Sequence, residues 1–139
     1  MIITIDGSEI RAFADQLRDA PAELRTTLRR EIRAEGKDVE GDIKANASWS
    51  SRIPGAVRTT VGFGARSAGV TIRVDAGQAP HARPLEKGNK PGFNRHPVFT
   101  YDVWVDQPIR PFFFRAVTPA MPRLVGRVQG VIDDVFARL

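Results

Sequence analysis

Apolar residues recur along this chain with two different periods, and the two periods mark out its elements. Ile2, Ile3 and Ile5 precede Asp6-Gly7, the pattern of a short strand and a turn. Ser8 then caps a helical segment in which Ile10, Phe13, Ala14 and Leu17 share a face. Pro21 suits the first turn of a second helix, from about Ala22 to about Ala45, with Leu24, Leu28, Ile32, Val39 and Ile43 as its stripe. The stripe thins at Glu35-Gly36, where a bend or weak point is expected. Val57, Thr59, Val61 and Phe63 alternate with polar or small residues, and so do Val70, Ile72 and Val74. Flanking the glycines of GARSAG, these two runs predict a β-hairpin whose apolar face covers the long helix. Val98–Val105, VFTYDVWV, predicts another strand, apolar on both faces and so suited to burial against a second surface. A last helix carries Met121, Leu124, Val125, Val128, Val131, Ile132, Val135, Phe136 and Leu139 on one broad stripe, with Pro119 and Pro122 near its start.

The fold expected from this order is α+β. A small antiparallel or mixed β-sheet packs against a long N-terminal helix and a C-terminal helix, in one domain spanning residues 1–139. One region fits neither period. From Ala79 to Ala116 the chain is proline-rich, with a Gly-Asn-Lys-Pro-Gly loop, aromatic residues and a Phe-Phe-Phe triplet. Ordering such a stretch in an isolated monomer loses conformational entropy for little burial. It is therefore expected to be an assembly segment, ordered by partners.

Charge is distributed unevenly. Residues 1–46 carry 8 basic and 10 acidic side chains, a net of −2, and residues 47–139 carry 13 and 6, a net of +7. The two halves sum to the overall +5. The basic half fits either DNA or an acidic protein neighbour. Arg25, Arg29, Arg30 and Arg33 interleave with Glu23 and Glu31, a pattern for solvent contacts or inter-subunit salt bridges rather than for a DNA-reading helix.

The chain has no cysteine, so no disulfide, thiolate zinc site or cysteine nucleophile is possible. MIITIDGSEI does not look like a signal peptide, and no run approaches the roughly 20 apolar residues of a membrane span. His81 and His96 are the only histidines, and their separation matches no metal-ligand spacing, with or without Glu86 or Asp102. No serine sits in the context of an activated nucleophile, and GFGARSAG lacks the lysine of a phosphate-binding loop. A non-enzymatic chain without cofactor or metal is expected.

Several residues in or near the basic half stand out as candidate interface groups. Trp49, alone in a polar connection, is either a packing plug or an interface anchor. Glu86 can accept hydrogen bonds from backbone amides or pair with an arginine of another subunit. Phe112, Phe113 and Phe114 cannot all point one way, so at least one belongs to the core and the others can enter a neighbour's pocket. Arg83, Lys87 and Arg95 form a candidate basic partner surface, and Trp104 a candidate apolar one. Gly55 and Gly88 are candidate structural turns.

Four elements in this order give the chain a family resemblance. A long N-terminal helical region is followed by Arg52-Ile53-Pro54-Gly55-Ala56-Val57-Arg58, a glycine-marked entry to a hairpin. Then come His81-Ala82-Arg83-Pro84-Leu85-Glu86-Lys87-Gly88, and Pro111-Phe112-Phe113-Phe114-Arg115-Ala116 leading into the last helix. In this order the chain resembles the HK97 gp10-like family of tailed-bacteriophage neck and tail-completion proteins, with Pro54 where threonine is common and an insertion over Asn89–Gln107. The resemblance implies a structural virion protein of the head–tail connector or tail end, made in the host cytoplasm and assembling as a ring. The implied partners are copies of itself and other neck, portal-connector or tail proteins, with no membrane. Non-specific contact with DNA in a channel, or a DNA-binding module using the basic surface, is the alternative.

Overall fold

The computed structural model describes residues 2–6, 22–64, 67–98 and 103–138. The segment expected to run from Ser8 through Leu17, Pro21, and the positions Phe99, Tyr101, Asp102 and Leu139 lie outside them.

The fold is α+β. Strands β1 (Ile2–Asp6), β2 (Val57–Gly64) and β3 (Ser67–Val74) form an antiparallel sheet in the order β1-β3-β2. The alternation in the hairpin sets its register: Val57 faces Val74, Thr59 faces Ile72 and Val61 faces Val70. These residues form the inner row, while Arg58 and Arg73 face each other on the exposed side. The long helix α1 (Ala22–Asn46) lays Leu24, Leu28, Ile32, Val39 and Ile43 into the same core. One helical turn, α2 (Ile53–Ala56), connects it to β2.

A short helix α3 (Ala82–Lys87) follows the sheet, then a separate two-stranded ribbon, β4 (Phe93–Val98) and β5 (Val103–Pro108), then the last helix α4 (Phe114–Ala137). Ala120 and Leu124 of α4 line a small void with Val39, Val70 and Ile72, so α4 reaches both α1 and the sheet. Buried Phe112 and Phe113 join this core from the approach to α4.

Three expectations are corrected here. The thinned stripe at Glu35-Gly36 is not a break, because α1 runs through both residues and buries both. Gly36 is needed for close approach: a Cβ there would lie 3.0 Å from Val70 Cγ1 and 3.2 Å from Thr59 Cγ2. Val98–Val105 is not one strand. Val98 ends β4 and Val103 begins β5, and the two residues pair antiparallel. Pro119 and Pro122 lie inside α4 rather than at its start. Each removes one backbone donor, and the helix is held by its packed face.

Acids of α1 pair with α4 and with the helix's own lysines. Glu35 accepts Arg123 Nε at 3.1 Å on one oxygen and Arg127 Nε at 2.9 Å on the other. Arg127 also reaches Asp38 at 3.2 Å, and Arg123 reaches Asp42 at 3.8 Å. Arg123 and Arg127 are thereby drawn to the α1 edge of α4. Glu40 pairs with Lys44 at 2.8 Å and Lys37 at 3.6 Å. Burial pushes its carboxyl up, but the hydrogen bond from Lys44, the nearby Thr59 hydroxyl and the charges of Lys44 and Lys37 outweigh this. It therefore titrates below the ordinary glutamate range.

Two outcomes follow from α1. Gly36→Val should lower stability in urea by about 1–3 kcal/mol through overpacking. Gly41→Ala, on the same helix with open space at its Cβ, should raise it by about 0.5–1 kcal/mol. A depressed carboxyl pKa gives stability that is present above the unfolded-state pKa and lost as pH falls through the folded-state value. Glu40→Gln should therefore lower stability near neutrality and flatten the acid limb of the stability curve, measured by denaturation across pH 2–7.

Candidate functional site

Helix α4 begins without a capping side chain of its own. Its N-cap residue is Phe113, which supplies no side-chain hydrogen bond. The first amides of a helix have no partner within it, and the aligned peptide dipoles make that end favourable for an anion. Glu86 of α3 supplies both the acceptor and the charge from 26 to 28 residues away. Oε2 accepts the amides of Phe112 at 2.7 Å and Phe113 at 3.0 Å, and Oε1 accepts the amide of Phe114 at 3.0 Å. The carboxylate is buried.

The surroundings hold both sides of this clamp. The Arg110 amide donates to the Leu85 carbonyl at 2.8 Å, running the chain beside α3. Asn46 Nδ2 donates to the Phe112 carbonyl at 3.2 Å, tying the clamp to the end of α1. Trp49 donates its indole N–H to the Asn46 carbonyl at 3.0 Å and meets Phe112 edge-on at 6.5 Å. The Arg110 guanidinium lies 4.5 Å over the Trp49 ring, and Lys87 Nζ lies 5.3 Å over Phe114.

Gly88 turns the chain out of α3 toward the ribbon. Its φ is +68°, and a Cβ there would collide with the Phe93 carbonyl oxygen. The ribbon's base is well tied. Asn89 accepts the Arg95 amide and donates to the Arg95 carbonyl, both at 2.7 Å, in the manner of a strand partner. The Ile109 amide donates to the Gly92 carbonyl at 3.1 Å. Beyond this base the ribbon stands in solvent. Every residue of β5 is exposed, and Trp104 keeps 53% of its surface accessible.

The predicted interface residues therefore separate into two groups. Glu86, Phe112 and Phe113 are enclosed by this chain and offer no side-chain surface to a partner, which corrects the expectation that placed them at an interface. Trp49 is half-buried and packs as a plug with one exposed side covered by Arg110. Arg83, Lys87, Arg95, Trp104 and Phe114 are exposed, with Arg95 paired to Asp106 at 3.4 Å. Gly88 is a turn at positive φ. Gly55 is not: it lies inside α2, and the described glycines with positive φ are Gly88 and Gly92.

Sequence reasoning did not foresee the contacts of Asn46, Asn89 and Arg110. It also missed that part of the C-terminal stripe stays uncovered: Met121, Val125 and Phe136 are exposed. His81 and His96 are not brought together on a cation. His81 Nε2 lies 3.3 Å from Ser50 Oγ, and His96 Nδ1 lies 3.2 Å from the Pro97 carbonyl. Among the described residues no three His, Asp or Glu side chains gather as a metal site. None of the described helices is long and apolar enough to cross a membrane.

No protein-family model, curated protein or solved structure matches this chain.

Removing the clamp should be among the most damaging single changes. Glu86→Ala leaves three amides without their acceptor and should cost about 3–5 kcal/mol. Glu86→Gln keeps the shape and one acceptor oxygen, and should cost about 1–3 kcal/mol. Equilibrium denaturation of both variants measures this, and an Ala variant as stable as the parent would contradict the clamp.

Proposed function

We propose that this chain is a structural protein of a tailed-bacteriophage virion, placed at the head–tail connector or tail end and assembling there as a ring through protein–protein contacts. The observation that carries the reading is the Ala79–Ala116 segment. Its two ends are held by a hydrogen-bonded clamp, and its middle is a ribbon that leaves Phe93, Val103, Trp104 and Val105 exposed. A group of large apolar side chains left exposed on an ordered base supports an interaction site. The order of the motif-bearing segments, from the long helix to the Pro-Phe approach to α4, supports the family resemblance.

Placement of the basic residues favours protein over DNA as the main partner. Phosphate binding needs cations that converge on one track. Here Arg58 and Arg73 lie on the outer sheet face, Arg83 and Lys87 on α3, and Arg95 is paired with Asp106 on the ribbon. They are spread over three different parts of the fold, with Arg95 already neutralised by Asp106. A ring whose channel passes DNA needs no stronger contact than this dispersed charge gives.

Particles assembled from a genome that encodes this chain should contain it in several copies, located by antibody labelling in electron micrographs at the head–tail junction or tail end. Mature, infectious particles that lack the chain would overturn the proposal. Free duplex DNA should bind negligibly even at low salt, and tight binding that falls steeply with salt would favour the DNA-binding alternative.

A further inference from the structure

The two edges of the β4–β5 ribbon are not alike. In an antiparallel pair successive residues alternate, one turning its amide and carbonyl toward the partner strand and the next turning both outward. The Ile109 amide donates to the Gly92 carbonyl, and the register runs from Phe93↔Pro108 to Val98↔Val103. The inward residues are therefore Asn94, His96 and Val98 on β4, and Val103, Val105 and Gln107 on β5. Phe93, Arg95 and Pro97 of β4 turn outward, as do Trp104, Asp106 and Pro108 of β5.

The outer edge of β4 is closed. The Phe93 carbonyl accepts the amides of Asn89 at 3.1 Å and Lys90 at 3.0 Å, and the Phe93 amide donates to the Lys90 carbonyl at 3.1 Å. The Asn89 side chain takes both backbone groups of Arg95. Pro97 has no amide to offer. The outer edge of β5 is open. Among the described residues nothing bonds the outward amides and carbonyls of Trp104 and Asp106, and every residue of the strand is exposed. Edge strands that stay single are blunted by lysine, proline, a bulge or a covering loop. Here proline stands only at the end of the strand, and the one charge, Asp106, is paired with Arg95. A two-stranded ribbon alone is at best marginally stable in water, and further strands stabilise it.

We propose that the open edge of β5 pairs antiparallel with β5 of a second copy, about a two-fold axis at Val105. In this register Trp104 of each copy stands opposite Asp106 of the other. Each such pair exchanges two hydrogen bonds, so the two pairs satisfy every outward amide and carbonyl of Trp104 and Asp106 in both copies. A slip of the register toward the strand end sets Asp106 against Asp106, and Trp104 against Pro108, which has no amide. The side chains fit the unslipped register. On one face Val105 meets Val105 across the axis, with Val103 opposite Gln107. On the other face the two Trp104 rings are diagonal neighbours, within reach of each other. No like charges stand opposite. The edge is thus complementary to itself in hydrogen bonding, charge and side-chain size, and this names a second copy as the occupant. The result is a four-stranded sheet, β4-β5-β5-β4. A two-fold contact closes at two copies. It builds no ring by itself and is independent of the proposed virion role.

The absence of cysteine allows a direct test. Across the axis Val105 and Val105 form a non-hydrogen-bonded pair, with Cα atoms about 4.5 Å apart and within disulfide reach. The two Val103 positions lie four residues out of step, about 14 Å apart and beyond that reach. Val103, Val105 and Gln107 are all exposed, so exchanging them leaves the core intact. Val105→Cys should form a disulfide dimer under mild oxidation. Val103→Cys and Gln107→Cys should each stay monomeric alone and cross-link when mixed. A Val105→Cys chain that stays monomeric, or a Val103→Cys chain that dimerises alone as readily, overturns the proposal. Asp106→Pro removes an outward amide and leaves the ribbon's own hydrogen bonds, which come from Val103, Val105 and Gln107. Relative to Asp106→Ala it should weaken association of the cysteine-free chain at least about tenfold, because the two-fold axis loses the bond twice. Sedimentation over a range of concentrations measures this. Equal association of the two variants places the contact elsewhere and also overturns the proposal.

Discussion

A single carboxylate joins the parts of this chain that sequence alone leaves unconnected. Glu86 takes the amides of Phe112, Phe113 and Phe114 at 2.7–3.0 Å and holds them at the positive end of α4. The clamp fixes where α4 starts, buries two rings of the phenylalanine triplet and brings the two ends of the ribbon together beside α3. An internal acid at this helix end also means that α4 brings its own anion. Its amides are occupied before any partner arrives.

A second set of acids decides which face of α4 is left over. Glu35, buried on α1, pairs with Arg123 and Arg127, and Asp38 and Asp42 extend the network. Glu35 is buried while its arginine partners keep one side in solvent, so these contacts reinforce the helix rotation that the buried apolar face of α4 sets. With that rotation set, Leu124, Val128 and Ile132 turn inward, and Met121, Val125 and Phe136 stay outside.

What the sequence made legible follows from the range of the interaction concerned. The α1 stripe, the β2–β3 hairpin and the inward face of α4 are periodic patterns whose cause lies within a few residues, and all three are present in the fold. The triplet could be divided in advance into core and surface, because adjacent side chains point apart; which ring stays outside, Phe114, depended on the clamp. Gly36 was misread because a gap in a stripe looks the same whether it marks a bend or the close approach of a sheet. Only the positions of Val70 and Thr59 distinguish the two. Gly55 drew attention as a loop glycine, yet the local hydrogen bonding makes a helical turn there. Glu86 was legible as an acceptor of amides but not as a cap, since its partners lie 26–28 residues away. The ribbon was taken for one strand because its two halves share β-forming residues, and the pairing of Val98 with Val103 is a fact of topology.

Amide hydrogen exchange of the isolated chain tests the central claim most directly, that a rigid clamp carries an uncovered ribbon. The amides of Phe112, Phe113 and Phe114 should exchange only through global unfolding, while those of Val103–Gln107 exchange through much cheaper local opening. Clamp amides that exchange as fast as the ribbon would contradict the account.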